Sequence, residues 1–253
     1  MKIAGIIKSS LIDYPGKAST VIFLGGCNFR CGYCHNPELL CAHAQQVRQE
    51  RSNPNAASAD DSASSATSIA AEGIEPEDLL AFLRKRKRFL DGVCISGGEP
   101  TLNKELPELM EEIKGLGLSI KLDTNGTSPD MLGKLLTKGL IDYVAMDIKG
   151  PADKYERIVR RPVNLDAVKK SAQILIDVWN QREFACEFRT TVCREWLDEK
   201  DLERMIAEYP GAPTWYLQRF NNSGSILDNA GAYSAYPLEK MEELGRRLCV
   251  NVR

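Results

Sequence analysis

A chain of 253 residues, 43% hydrophobic and 27% charged, has the make-up of a globular protein of one or two domains. Its formal net charge of −2 excludes a bulk field that would draw in nucleic acid or an anionic membrane. No apolar run approaches the ~20 residues of a membrane helix, and Met1-Lys2-Ile3-Ala4-Gly5-Ile6-Ile7 lacks the length and cleavage pattern of a signal peptide, so a cytoplasmic protein is expected.

Residues 3–7 form a short apolar strand candidate, followed by a turn at Asp13-Tyr14-Pro15-Gly16. Residues 18–24 are apolar and β-branched and read as a buried strand. Directly after it comes Gly-Gly-Cys-Asn-Phe-Arg-Cys-Gly-Tyr-Cys-His-Asn-Pro, which carries Cys27, Cys31 and Cys34. Composition then changes sharply. Residues 52–68 contain no large apolar side chain and cannot bury enough surface to offset their ordering entropy, so residues 42–72 are expected to be a disordered insertion in a single domain, 1–253. Residues 76–90 are amphipathic around the basic run from Arg84 to Arg88. Beyond them strands at 92–96, 118–122, 143–147, 184–192 and 214–218 alternate with helices at 104–114, 129–137, 165–179, 199–208 and 237–248. With 18–24 this makes about six β/α units, and alternation of this kind predicts an α/β fold with a parallel sheet. Six units are fewer than the eight of a closed barrel. The expected architecture is a partial, open parallel β/α barrel.

Functional residues of such sheets gather at the carboxyl ends of the strands. Those positions carry the three cysteines, Gly97-Gly98-Glu99-Pro100, Asp123-Thr124-Asn125-Gly126 and Asp147-Ile148-Lys149, with Arg189 on the fifth strand and Gln218 to Asn221 after the sixth. Eight cysteines in a cytoplasmic chain do not read as a disulfide framework. Three thiolates at C-x3-C-x2-C suit an iron–sulfur cube held at three corners, its fourth iron left open for chemistry. Zinc completed by His35 or Cys41, or three free thiols, are the alternatives; zinc sites usually come as two paired knuckles. Gly97-Gly98-Glu99-Pro100 is either a tight turn or bare backbone that lets a ligand approach while Glu99 accepts from a cationic amine. Asp123 and Asp147 are either turn formers or ligand-facing carboxylates. Asn125 is expected to shape its turn, and Cys94 to pack in the core. Cys186, Cys193 and Cys249 are read as structural. The basic run is either a solvated helix face or a docking patch for an acidic electron donor.

The cysteine motif followed by Gly97-Gly98-Glu99-Pro100 resembles the radical S-adenosylmethionine (SAM) superfamily. Leu11-Ile12-Asp13-Tyr14-Pro15-Gly16, Cys34-His35-Asn36-Pro37, Asp123-Thr124-Asn125-Gly126 and Met146-Asp147-Ile148-Lys149 are similar to segments of its glycyl-radical-enzyme activases. The nearest resemblance is to the long-form anaerobic ribonucleoside-triphosphate reductase activating proteins; pyruvate formate-lyase activating enzymes share most of these marks. The resemblance implies a [4Fe–4S] cluster on Cys27, Cys31 and Cys34, with SAM chelating the unique iron. It places Tyr33 near the adenine, Gly97, Gly98 and Glu99 at the methionyl amine, and Asp123, Lys149 and Arg189 along the SAM site. It also suggests a monovalent cation shared by Asp123, Thr124 and Asp147. An electron from reduced flavodoxin or ferredoxin would cleave SAM, and the 5′-deoxyadenosyl radical would take hydrogen from a backbone glycine of the partner reductase. No catalytic acid or base is required. Pyruvate formate-lyase or a small molecule is the alternative substrate, and a zinc-binding interaction protein the alternative from another class.

Two departures stand out. Only Cys41 precedes Cys94 where several activases carry ferredoxin-like cysteines, so one cluster is expected. Val192-Cys193-Arg194-Glu195-Trp196 replaces an apolar-Pro-Gly loop.

Overall fold

A computed structural model describes residues 3–40, 68–181, 184–221, 226–229 and 231–253. It divides into two compact units, Met1–Cys27 with Glu38–Leu122, and Asn28–Pro37 with Asp123–Arg253.

The first unit is built on β1 (Ile3–Ser10), β2 (Ser19–Leu24), β3 (Ser68–Ile74), β4 (Gly92–Gly97) and β5 (Ser119–Thr124), with α1 (Pro76–Arg86) and α2 (Leu106–Gly115). β1 lies antiparallel to both β2 and β3, whereas β2, β4 and β5 run parallel. β2 and β4 are short apolar runs, as strands covered on both faces must be. α1 starts at Pro76, carries Glu77 and Asp78 in its first turn and Arg84 to Arg86 in its last, and buries Leu79, Leu80 and Leu83. That order of charges complements the helix dipole. The amphipathic stretch expected to reach 90 therefore ends as a helix at Arg86.

The second unit contains α3 (Pro129–Thr137), β6 (Tyr143–Asp147), α4 (Tyr155–Val159), α5 (Leu165–Asn180), β7 (Ala185–Val192), α6 (Glu199–Ala207), β8 (Thr214–Arg219), α7 (Leu238–Leu248) and β9 (Asn251–Val252). β6, β7, β8 and β9 form one parallel ladder. α5 opens on Asn164, whose side chain accepts from the Ala167 amide, and α6 on a capping box between Asp198 and Asp201.

The α/β class, the open parallel sheet and the six expected strands are all present. Three elements were not anticipated: β3, α4 and β9. The expected insertion at 42–72 lies outside the described residues as far as 67, and its last five positions belong to β3. Cys41 also lies outside them. Among the described residues no helix is long and apolar enough to cross a membrane.

Candidate cofactor-binding site

In the first unit the root of the cysteine loop and the Gly97–Gly98 turn are built against each other. The Gly98 amide donates to the Leu24 carbonyl at 2.9 Å, and the Glu99 amide to Gly26 at 2.8 Å. Gly97 has φ +125°, and a Cβ there would lie 2.3 Å from the Leu24 carbonyl oxygen. One on Gly98 would lie 2.0 Å from the Gly26 oxygen and 3.1 Å from the Cβ of Cys27. The glycines are thus demanded by the backbone that launches the cysteine loop. Glu99 is wholly buried, and its Oε1 accepts from the Thr101 amide at 3.1 Å and from the Thr101 hydroxyl, capping a one-turn 3-10 helix.

The second unit holds Cys31 and Cys34, whose spacing closes a turn: the Cys34 amide donates to the Cys31 carbonyl at 3.0 Å. Cys31 is buried and Cys34 half-buried. Burial pushes the Cys31 thiol up, with Lys149 pulling against it and Cys34 adding to it. Tyr33 between them is buried, and its Oη has no hydrogen-bond partner. Burial also raises its hydroxyl pKa well above the usual value.

Beside this loop stands a chain of charges. Arg189 Nε donates to Asp147 at 2.8 Å, its Nη1 lies 3.4 Å from Asp123, and Lys149 Nζ donates to Asp147 at 3.1 Å. Burial alone would raise the Asp147 carboxyl, but the Arg189 guanidinium and the Lys149 ammonium outweigh it and bring it to about 2. Burial alone would lower Lys149; Asp147 chiefly reverses that and leaves it well above its ordinary value. Arg189 is raised in the same sense by Asp123 and Asp147 against the cost of burial. Thr124 Oγ1 accepts from the Gly126 amide at 3.1 Å. Asn125 accepts from the Thr127 amide at 3.1 Å, as expected of a turn former, and its Nδ2 also donates to Asn28 Oδ1 at 2.8 Å. The loop after β5 is thereby tied to the residue that follows Cys27.

The residues suit the groups that the cysteine motif implies. Three thiols, none in a disulfide, supply soft ligands. Among the described residues no three His, Cys, Asp or Glu side chains converge as ligands of one ion. Three thiolates on three different irons of a cube need no such convergence. An orphaned hydroxyl on Tyr33, and on Lys149 an ammonium with three donors and one partner, offer hydrogen bonds to a bound ligand. His35 instead stacks on Phe220 at 5.6 Å, and burial lowers its pKa.

The remaining expectations sort by position. Cys94, Cys186 and Cys193 are buried and Cys249 is exposed. The basic run lies on the last turn of α1 and just beyond it, with Arg86 half-buried and donating to Ser9 Oγ at 2.8 Å and Arg84, Lys85, Lys87 and Arg88 exposed. The sequence reading missed Leu227, Asp228 and Tyr233, which touch the cysteine loop but belong to no motif.

Comparison with known proteins agrees with this site. Residues 21–206 match the model of the Radical SAM superfamily. MJ1227 of Methanocaldococcus jannaschii, provisionally named as a glycyl-radical enzyme activating enzyme, is 32% identical over 243 residues, which is 96% of this chain and 88% of its own length. Pyruvate formate-lyase 2-activating enzyme of Escherichia coli is 29% identical over 188 residues, covering 69% of this chain and 62% of its own length. Among solved structures, Streptococcus suis SuiB bound to the precursor peptide SuiA superposes on 92% of this chain with a TM-score of 0.59 at 14% identity. This chain spans 47% of that protein, and the likeness is one of fold alone.

Proposed function

Because the chain belongs to the radical SAM superfamily, we propose that it is an activating enzyme that generates a glycyl radical on an anaerobic ribonucleoside-triphosphate reductase. The activating-enzyme part of this reading is supported by the likeness to MJ1227 over 96% of this chain, joined to a cysteine loop whose neighbours hold spare hydrogen-bond donors; the choice of the reductase rests on the resemblance of the sequence motifs. The family brings a [4Fe–4S] cluster and SAM. When bound, they supply a one-electron reductive cleavage and a radical able to take a hydrogen atom; placement and shielding fall to the protein.

In this reading Cys27, Cys31 and Cys34 hold the cluster. Gly97, Gly98 and Glu99 meet the methionyl amine of SAM, and the two glycines also let the root of the loop close on β4. Lys149 and Tyr33 direct donors at SAM, and Arg189, bridging Asp123 and Asp147, holds both carboxylates along the SAM site. Arg189 already bridges Asp123 and Asp147, so a monovalent cation at Asp123, Thr124 and Asp147 has no support in the geometry. Reduced flavodoxin or ferredoxin supplies the electron, in the cytoplasm.

The test is anaerobic reconstitution of the full chain, followed by reduction with SAM present and either an anaerobic ribonucleotide reductase or pyruvate formate-lyase. Electron paramagnetic resonance should show a glycyl doublet on the reductase. A doublet on pyruvate formate-lyase alone would transfer the assignment to that partner, the second reading that the Escherichia coli relative favours. SAM cleavage with neither partner responding would point to a small molecule. Zinc without iron and sulfide would remove the enzyme altogether.

A further inference from the structure

The segment around Asp228, with no motif of its own, grips the cysteine loop within the second unit. The Leu227 amide donates to the Cys34 carbonyl at 3.1 Å, and the Asp228 amide to the Gly32 carbonyl at 3.0 Å. On the other flank the Arg30 amide donates to Val159 at 2.8 Å. The next residue, Arg160, closes α4 in the left-handed region at φ 54°, a conformation that non-glycine residues keep only where their surroundings enforce it. Here the reason is visible. Arg160 Nη1 donates to Asp228 Oδ1 at 2.6 Å while its Nη2 reaches both Asp228 Oδ2 and, at 2.9 Å, Tyr233 Oη. The Tyr233 hydroxyl in turn donates to Asp228. A paired guanidinium–carboxylate contact fixes orientation in a way that a single contact does not.

All three side chains press on one residue of the loop. A Cβ on Gly32 would fall 2.0 Å from Tyr233 Oη, 2.4 Å from Asp228 Oδ2 and 2.6 Å from Arg160 Nη2. The Tyr233 ring also meets Tyr33 edge-on, with centroids 6.1 Å apart at 90°. Gly32, Tyr33 and Cys34 are therefore held on consecutive residues by backbone bonds, close packing and a ring contact. Outer partners of metal ligands fix ligand orientation, and their loss costs roughly 10–100-fold in metal affinity or activity.

We propose that Asp228, held by Arg160 and Tyr233, is a positioning residue that sets the Gly32–Cys34 backbone so that Cys31 and Cys34 keep the spacing the cluster requires. This rests on the assignment of Cys31 and Cys34 as cluster ligands.

The experiment compares the reconstituted full chain with Asp228→Ala, Asp228→Asn, Tyr233→Phe and Cys31→Ser. Iron release to bathophenanthroline should be roughly 10–100-fold faster in Asp228→Ala. The midpoint potential and the spectrum of its reduced cluster should shift too. Asp228→Asn, which keeps one acceptor oxygen, should fall between. In the protein without cluster, amide exchange should lose protection at Leu227, Asp228 and the loop while β6, β7 and β8 stay protected. If Asp228→Ala does not fold, Tyr233→Phe, which removes one of the two supports, is read by the same measurements. Lowered thermal stability with unchanged iron release and an unchanged spectrum would overturn the positioning role. Cys31→Ser separates the two readings. A cluster retained in that variant overturns the ligand assignment and the proposal with it. A cluster lost there, beside an unaltered Asp228→Ala, overturns the positioning role alone.

Discussion

Replacing Arg189 with Met leaves two carboxylates without their shared cation, and its cost follows from burial. The side chain of Arg189 is 12% exposed, Asp123 17% and Asp147 27%. Ion pairs in open solvent contribute about 0–1 kcal/mol, whereas removing one member of a buried pair costs about 3–5 kcal/mol. Lys149 remains on Asp147 at 3.1 Å and softens the loss. The fall of the Asp147 carboxyl from its usual 3.8 to about 2 corresponds to roughly 2 kcal/mol shared between the two cations. With Asp123 losing the same guanidinium, the variant should lose ~3 kcal/mol at neutral pH. The sign of the pH dependence is set by the depressed carboxyl. Its stabilisation is complete above the ordinary carboxylate range and disappears as pH falls through about 2. Without Arg189, burial opposes Lys149 alone, the depression shrinks, and the loss of stability on acidification becomes shallower. Urea unfolding of the cluster-free protein, at neutral pH and down the acid limb, measures both. A loss below about 1 kcal/mol would place the network in the exposed class. An unchanged acid limb would show that Arg189 does not hold Asp147 down. The double variant Arg189→Met/Asp123→Asn should recover part of the loss, because Lys149 still pairs with Asp147 while the other carboxylate is neutralised.

Three further outcomes are expected. Gly98→Ala puts a methyl group 2.0 Å from the Gly26 oxygen and should cost more than ~3 kcal/mol or prevent folding; Gly133→Ala, in α3 with nothing within 4 Å, should stabilise by ~0.5–1 kcal/mol, both read as shifts in thermal midpoint. Tyr33→Phe deletes a buried hydroxyl that has no partner, so the ligand-free protein should be unharmed or gain up to ~1 kcal/mol while SAM affinity falls in equilibrium binding; a loss of stability without SAM would mean the hydroxyl is satisfied within the protein. Asp201→Ala removes a buried carboxylate that accepts from Lys154 at 2.6 Å, Arg204 at 2.7 Å and the Asp198 amide at 2.9 Å, and should cost ~3 kcal/mol by urea unfolding, with Asp201→Asn recovering part.

The regular elements were legible because their signals are local. α3 and β6 have the boundaries that the pattern predicts, since Pro129 opens the helix and β6 is a short apolar run ending at Asp147. α4 and β9 are too short for any periodicity to register, and both are defined by what they lean on. β9 exists only through its pairing with β8. β3 emerges from a stretch whose composition argues against order, because the open edge of β1 supplies it with partners. At the site, residue types announced the chemistry, and Arg189, Asp147 and Lys149 were foreseeable as partners. The backbone contact of Gly97 and Gly98 was not. A glycine pair in a sequence signals that something comes close, and the structure shows that the backbone of Leu24 and Gly26 does. Asp228 was invisible for a related reason: an aspartate far along the chain says nothing about which loop its amide will meet.

The division of labour between the two cations follows from the same contacts. Arg189 and Lys149 face Asp123 and Asp147, so the charges cancel and the protein without ligand carries no net charge in this buried network. A ligand is therefore not drawn in by an unbalanced field; it has to offer acceptors to donors that are not yet engaged. Arg189 spreads its guanidinium over two carboxylates, a rigid fork suited to holding geometry. Lys149 uses one of three donors, on a flexible stem, and lies within electrostatic reach of Cys31 and Tyr33. In the proposed reading, structure falls to Arg189 and recognition to Lys149, two residues that composition alone would count as equivalent positive charges.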